Sequence, residues 1–175
     1  MLVNLTEILT SDGKVVKASY PIDMTMFIYN GEEYSIVDKS AMQITFTNTG
    51  KQKLVMEGST AVTLAMFCDR CLKPVEVPVK IFFAHEINSN SHISDTEEAE
   101  EYSFLQEYTL DTEELLRYEL VVNMPMKVLC EEDCQGICLQ CGNDLNEKSC
   151  GCDPFVPDPR MAAIKDIFNA NNKEV

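Results

Sequence analysis

Hydrophobic positions in the first half of the chain recur at every second residue. Met42, Ile44 and Phe46 alternate with Gln43, Thr45 and Thr47, and Val62, Leu64 and Met66 alternate with Ala61, Thr63 and Ala65. The cleanest run places Val75, Val77, Val79, Ile81 and Phe83 against Glu76, Pro78 and Lys80. Successive side chains of a strand point to opposite faces, so this period predicts antiparallel sheet with one buried and one wet face. Leu54 and Met56 predict a further strand piece after a turn at Thr49-Gly50. Asn30-Gly31, between residues 24–29 and 32–37, predicts a tight hairpin, since both residues accept the positive φ of a type I′ turn. Pro78 lacks a ladder donor, which puts its strand at an edge or turns that residue outward.

The period then changes. Residues 88–104 are polar and then acidic, the composition of a loop or linker. Asp111 followed three residues later by Glu114 predicts a capping box, with Leu110 packing on Leu115 as a staple. Leu115, Leu116, Leu120 and Val122 form the apolar stripe of that helix, which ends near Pro125. Asp158 and Pro159 predict the start of a second helix with Met161, Ile164, Ile167 and Phe168 on its apolar face, followed by a frayed tail over residues 169–175. The predicted class is α+β: mainly antiparallel β-sheet or partial barrel, one or two helices, and a Cys-rich C-terminal segment. Residues 1–129 form the β-rich domain with its acidic loop and helix. Residues 130–175 form the Cys-rich segment and terminal helix, packed on the same domain.

Charge narrows the function classes. The 175 residues include 14 Lys and Arg against 29 Asp and Glu, a formal net charge of −15. Neutralising phosphates takes Lys and Arg, so the protein as a whole repels nucleic acid and anionic membranes. Residues 95–119 hold ten acidic side chains and only Arg117 in opposition. Such a run is a solvated face, or a docking surface for a basic partner. The first residues lack the cationic and apolar regions of a signal peptide, and no apolar run reaches the roughly 18–20 residues that cross a bilayer. The expected location is the cytoplasm, whose reducing conditions disfavour structural disulfides.

That compartment decides how the eight cysteines read. They fall into Cys68-x2-Cys71, Cys130-x3-Cys134, Cys138-x2-Cys141 and Cys150-x-Cys152. Structural zinc takes four soft ligands in a tetrahedron, and a two-residue gap lets one tight turn present two thiolates. Gly142, directly after Cys141, suits the positive φ of such a turn. The spacing groups Cys68, Cys71, Cys130 and Cys134 in one site, and Cys138, Cys141, Cys150 and Cys152 in a self-contained loop. Cys130 and Cys134 join the first site by elimination, and an interleaved grouping is also compatible with the spacing. Two zinc ions are thus predicted, the first clipping sheet to post-helix segment. Four thiolates leave no open coordination position, so the role predicted is structural.

Other readings carry less. Cys134-x3-Cys138-x2-Cys141 matches the spacing of a radical iron–sulfur motif but leaves the remaining cysteines unexplained. Cys68 and Cys71 lie between strands, not at the helix start that lowers a redox thiol's pKa. His85 and His92 read as surface residues, and no nucleophile, phosphate loop or paired acid and base is evident. An enzyme is not predicted. Arg70, Lys73, Lys127 and Lys148 lie close in sequence to the cysteines, either compensating anionic thiolate clusters or forming a small basic rim that touches a partner.

The ordered combination Cys68-Asp69-Arg70-Cys71-Leu72, the segment from Leu129 to Cys138, Cys141-Gly142-Asn143-Asp144-Leu145-Asn146 and Asp158-Pro159-Arg160 resembles the bacterial YceD family of large ribosomal RNA subunit accumulation proteins. The resemblance covers nearly the whole chain. It implies a part in accumulation or processing of large-subunit ribosomal RNA, with a large-subunit ribosomal protein or pre-ribosomal particle as partner. Two loaded four-thiolate sites would add −8 and +4 to the formal −15, about −19 in total, which favours a basic protein as go-between over a direct grip on phosphates. The alternatives are a direct RNA-binding zinc protein, a thiol redox switch and a nuclease.

Overall fold

The protein is described here by a computed structural model covering residues 1–50, 53–88, 103–106 and 108–152. The acidic residues 95–101, Glu107, His92 and the second predicted helix lie outside the described residues. The chain divides into two compact units, Met1–Asp69 with Lys73–Cys130, and Arg70–Leu72 with the segment from Glu131 onward.

The first unit contains strands β1 (Leu2–Asn4), β2 (Val15–Tyr20), β3 (Met26–Tyr29), β4 (Glu32–Lys39), β5 (Met42–Gly50), β6 (Lys53–Phe67), β7 (Pro74–Asn88), β8 (Leu105–Gln106) and β9 (Thr109–Asp111). Helix α1 spans Thr6–Leu9 and α2 spans Thr112–Asn123. The α+β class, dominated by antiparallel sheet, is as the alternation predicts. Six strands form one sheet in the order β2-β5-β6-β4-β3, with β7 also on β6, and a small sheet runs β1-β9-β8. The path is open, so the sheet is not a closed barrel.

β6 is the spine. Along one side it pairs β7 from Lys53↔Asn88 to Phe67↔Pro74. Along the other it pairs first β5 and then β4. β7 pairs only β6 among the described residues, the edge position that Pro78 requires. The sequence divides β6 into two pieces, yet it is continuous through Gly58, which lies opposite Phe83. A Cβ at Gly58 would lie 2.3 Å from Phe83 Cζ and 2.7 Å from the Gln43 carbonyl oxygen, so the side-chain-free position makes room for the ring.

The inward residues of β5, β6 and β7 meet the buried Leu115, Leu116 and Leu120 of α2 in one core. Complete burial of each such side chain contributes roughly 1.5–3 kcal/mol. Asn30 (φ 52°) and Gly31 (φ 85°) form the predicted β3–β4 hairpin. Asp111 caps α2 by accepting from the Glu113 and Glu114 amides. The reciprocal arm of the predicted box is not formed: the Asp111 amide donates to the Phe104 carbonyl, and Glu114 accepts from Arg117. Val122, assigned by sequence to the apolar stripe, is exposed.

Two further expectations are corrected. His85 is not a surface residue: its ring packs among Phe83, Phe104 and Tyr118 and meets Glu119. Glu119, counted within the solvated acidic run, is buried at 4% exposure. A polar side chain at the end of an alternating strand can turn inward when another element brings it a partner, information that strand periodicity lacks. Among the described residues, no helix is long and apolar enough to cross a membrane.

In the second unit the backbone is held by an isolated Ile137↔Asp144 bridge and by the Leu145 amide donating to the Gly136 carbonyl. Among its described residues only Cys71, Cys134 and Gly136 are buried, and these make no apolar core.

Candidate metal centres

The β6–β7 turn makes the first cysteine knuckle. The Cys68 amide donates to the Lys73 carbonyl at 2.9 Å, closing the turn below the last ladder pair. Asp69 fixes it to the post-helix segment twice: its amide donates to the Val128 carbonyl, and its carboxylate accepts from the Val128 amide at 2.7 Å. Leu72, directly after Cys71, has φ 61°, a strained value for a branched side chain. Sequence reasoning missed this, since the matching position after Cys141 is Gly142, φ 74°.

The second knuckle is built alike. Gly142 donates its amide to the Cys138 carbonyl, and the Cys138 amide donates to the Asn143 carbonyl, both at 2.8 Å. Gly136 (φ 79°) approaches Arg70 so closely that a Cβ would lie 2.9 Å from the Arg70 carbonyl oxygen. That carbonyl accepts from the Ile137 amide, and the Arg70 guanidinium donates to the Cys134 carbonyl at 2.6 Å. Arg70 is therefore engaged in holding a cysteine backbone. The side chains of Lys73, Lys127 and Lys148 are exposed.

The sulfurs form two groups, Cys68, Cys71, Cys130 and Cys134, and Cys138, Cys141, Cys150 and Cys152, with all four in each group within 4.8 Å of one another. These are the two sets that spacing suggests. A tetrahedron with metal–sulfur distances of about 2.3 Å has edges of about 3.8 Å, so both groups can hold a metal ion. Soft thiolates suit zinc, copper(I) or iron–sulfur chemistry over hard cations. The Asn146 side-chain amide donates to Cys134 Sγ at 3.5 Å, an outer contact that spacing did not reveal and that supports negative charge on the sulfur.

The two groups differ in exposure. Cys68, Cys71 and Cys134 are buried and Cys130 is half-buried, whereas Cys141 is exposed and Cys138, Cys150 and Cys152 are half-buried. Backbone N–H groups of Cys141 and Gln140 draw the Cys138 thiol down to about 6. Hydrogen bonding with Cys141 and Cys150 pushes the Cys152 thiol up to about 12. Crowded thiols cannot all ionise together without a cation, which is the condition a divalent ion satisfies.

Comparison with known proteins enters on this geometry. Residues 56–168 match the family described as "Large ribosomal RNA subunit accumulation protein YceD". Uncharacterized proteins of Mycobacterium bovis and Mycobacterium tuberculosis are each 29% identical over 119 residues, 66% of this chain. The match spans 56% of the length of those relatives. No solved structure matches the chain. The matched region takes in both cysteine groups, most of β6, all of β7 and α2, more than half of the sequence, and the chain belongs to the YceD family.

Proposed function

We propose that this chain is a zinc-stabilised, non-enzymatic factor of ribosome biogenesis that acts in the cytoplasm. It supports accumulation or processing of large-subunit ribosomal RNA by engaging a basic ribosomal protein or a pre-ribosomal particle. Family membership over residues 56–168 is the observation that carries this reading. The donor sets favour zinc: all-thiolate quartets suit a borderline-soft ion, and they leave no coordination position open for a reacting water. Zinc would supply cross-links to a unit that has no apolar core among its described residues.

The net charge of −15 favours a basic partner over phosphates. Glu131, Glu132 and Asp133 are consecutive and exposed, and the sequence at residues 95–101 supplies a second acidic run. Arg70, Lys73, Lys127 and Lys148 are too few to reverse that balance.

The test is co-sedimentation of the full chain with large-subunit particles, alongside the level of large-subunit ribosomal RNA. Reversing Glu131, Glu132 and Asp133, and separately the acidic residues 97–101, is expected to weaken particle association without loss of zinc. Unchanged association and RNA levels in both variants overturn the reading. Salt-sensitive binding to protein-free RNA would favour the direct RNA-binding alternative, and cleavage of that RNA would make the protein a nuclease.

A further inference from the structure

We propose that the second quartet, Cys138, Cys141, Cys150 and Cys152, is a site of reversible oxidation by hydroperoxides, at which two disulfides form and zinc leaves while the first quartet stays reduced. The proposal rests on the zinc occupancy argued above and not on the ribosomal partner. Its basis is the asymmetry between two chemically identical ligand sets. Three of four cysteines are buried in the first quartet and none in the second, where Cys141 is exposed. Oxidant access, which governs where on a protein such chemistry occurs, therefore favours the second.

Local structure points the same way. The first knuckle sits at the end of a fifteen-residue ladder and is clamped by the paired Asp69–Val128 hydrogen bonds. Opening it disturbs the hairpin that carries the core. The segment from Cys138 to Cys152 contains no buried side chain among its described residues. Of its two leucines Leu139 is exposed and Leu145 half-buried, so rearrangement exposes little apolar surface, and such regions open at low free energy. Its sulfurs lie within 4.8 Å of one another, so small backbone changes suffice to bring pairs to the roughly 2.05 Å of a disulfide.

The chemistry balances. A thiolate attacks the peroxide O–O bond and becomes a sulfenic acid, and a neighbouring thiolate then displaces hydroxide from that sulfur to close a disulfide. For the whole quartet, two molecules of hydrogen peroxide take four electrons from four thiolates and, with four protons from solvent, become four molecules of water. Two disulfides and one free zinc ion remain. A thiol reductant returns the electrons, and zinc can rebind.

The experiment uses the full-length, zinc-loaded protein. Native mass spectrometry counts the metal, hydrogen peroxide is added in stoichiometric steps, released zinc is followed with a chromogenic chelator, and differential alkylation maps oxidised cysteines. One zinc of two is expected to leave at least tenfold faster than the other, with disulfides confined to Cys138, Cys141, Cys150 and Cys152, and thiol reductant plus zinc should restore the starting mass. The variant C138S/C141S should carry one zinc and lose the fast release. Release of both ions at one rate, first oxidation at Cys68, Cys71, Cys130 or Cys134, or fast release persisting in the variant overturns the proposal. Fewer than two zinc ions before oxidant addition overturns the occupancy on which it rests, and the two failures are read at different steps.

Discussion

The Nε2 atom of His85 lies 2.6 Å from Oε1 of Glu119, joining β7 to α2 inside the first unit. The two side chains are only 13% and 5% exposed. Removing the ring leaves a buried carboxyl group short of a partner, so His85→Ala is expected to destabilise the zinc-loaded protein by about 3 kcal/mol. Glu119→Gln retains a polar group of the same shape and should cost about 1 kcal/mol. Urea unfolding checks both, and a full loss in His85→Ala beside none in Glu119→Gln would show that packing alone holds this contact.

Gly58 and Phe83 are a second coupled pair. Gly58→Ala places a methyl group against the ring and the Gln43 carbonyl and should cost about 1–3 kcal/mol. Adding Phe83→Leu relieves only the ring contact, so the double variant should be less destabilised than the sum of the single changes. Strict additivity in a double-mutant cycle contradicts the proposed clash.

Two glycines of the Cys-rich unit separate strain from steric exclusion. Gly142 and Gly136 both have positive φ, but only Gly136 faces a backbone oxygen, that of Arg70. Gly142→Ala should weaken zinc retention by about tenfold, the cost of a left-handed alanine. Gly136→Ala should weaken it further. Chelator competition measures both, and an equal effect would show that the Arg70 approach relaxes freely.

Asn146→Ala removes the amide that donates to Cys134. Outer contacts of this kind alter metal affinity by about 10–100-fold. The lower end of that range is expected here, because the bond is long. It should appear at the first quartet and be readable as chelator-dependent loss of one zinc.

Proton release gives a pH test of the second quartet. Metal binds thiolates, so loading expels whatever protons the sulfurs carry. Cys138, drawn down to about 6 by local N–H groups, has mostly lost its proton at pH 7 and holds it at pH 5. Cys152, raised to about 12, is protonated at both. Loading should therefore release about one more proton at pH 5 than at pH 7, and zinc affinity should fall more steeply below about pH 6. Calorimetry in buffers of different ionisation enthalpy measures this, and Cys138→Ser should abolish the difference.

The hairpin at Asn30-Gly31 and the edge strand through Pro78 were legible because each depends on local chemistry: positive φ in one case, a missing donor in the other. The cysteine quartets were legible because one tight turn fixes two ligands. Short elements were not. β1, β8 and β9 hold two or three residues each, too few to express a period. The fate of His85 and Glu119 depends on a contact between positions thirty-four apart in the chain, a tertiary fact that local pattern does not encode. Leu72 was overlooked because glycine is the usual signal for the conformation it adopts.

The ladder between β6 and β7 runs in unbroken register down to the turn that bears Cys68 and Cys71. Its length is therefore counted twice, once by the alternation of apolar side chains and once by the spacing of two thiols. A residue gained or lost between those thiols would rotate every following inward side chain toward water while also pulling a sulfur out of place. In this turn, therefore, a substitution disturbs less than a change of length.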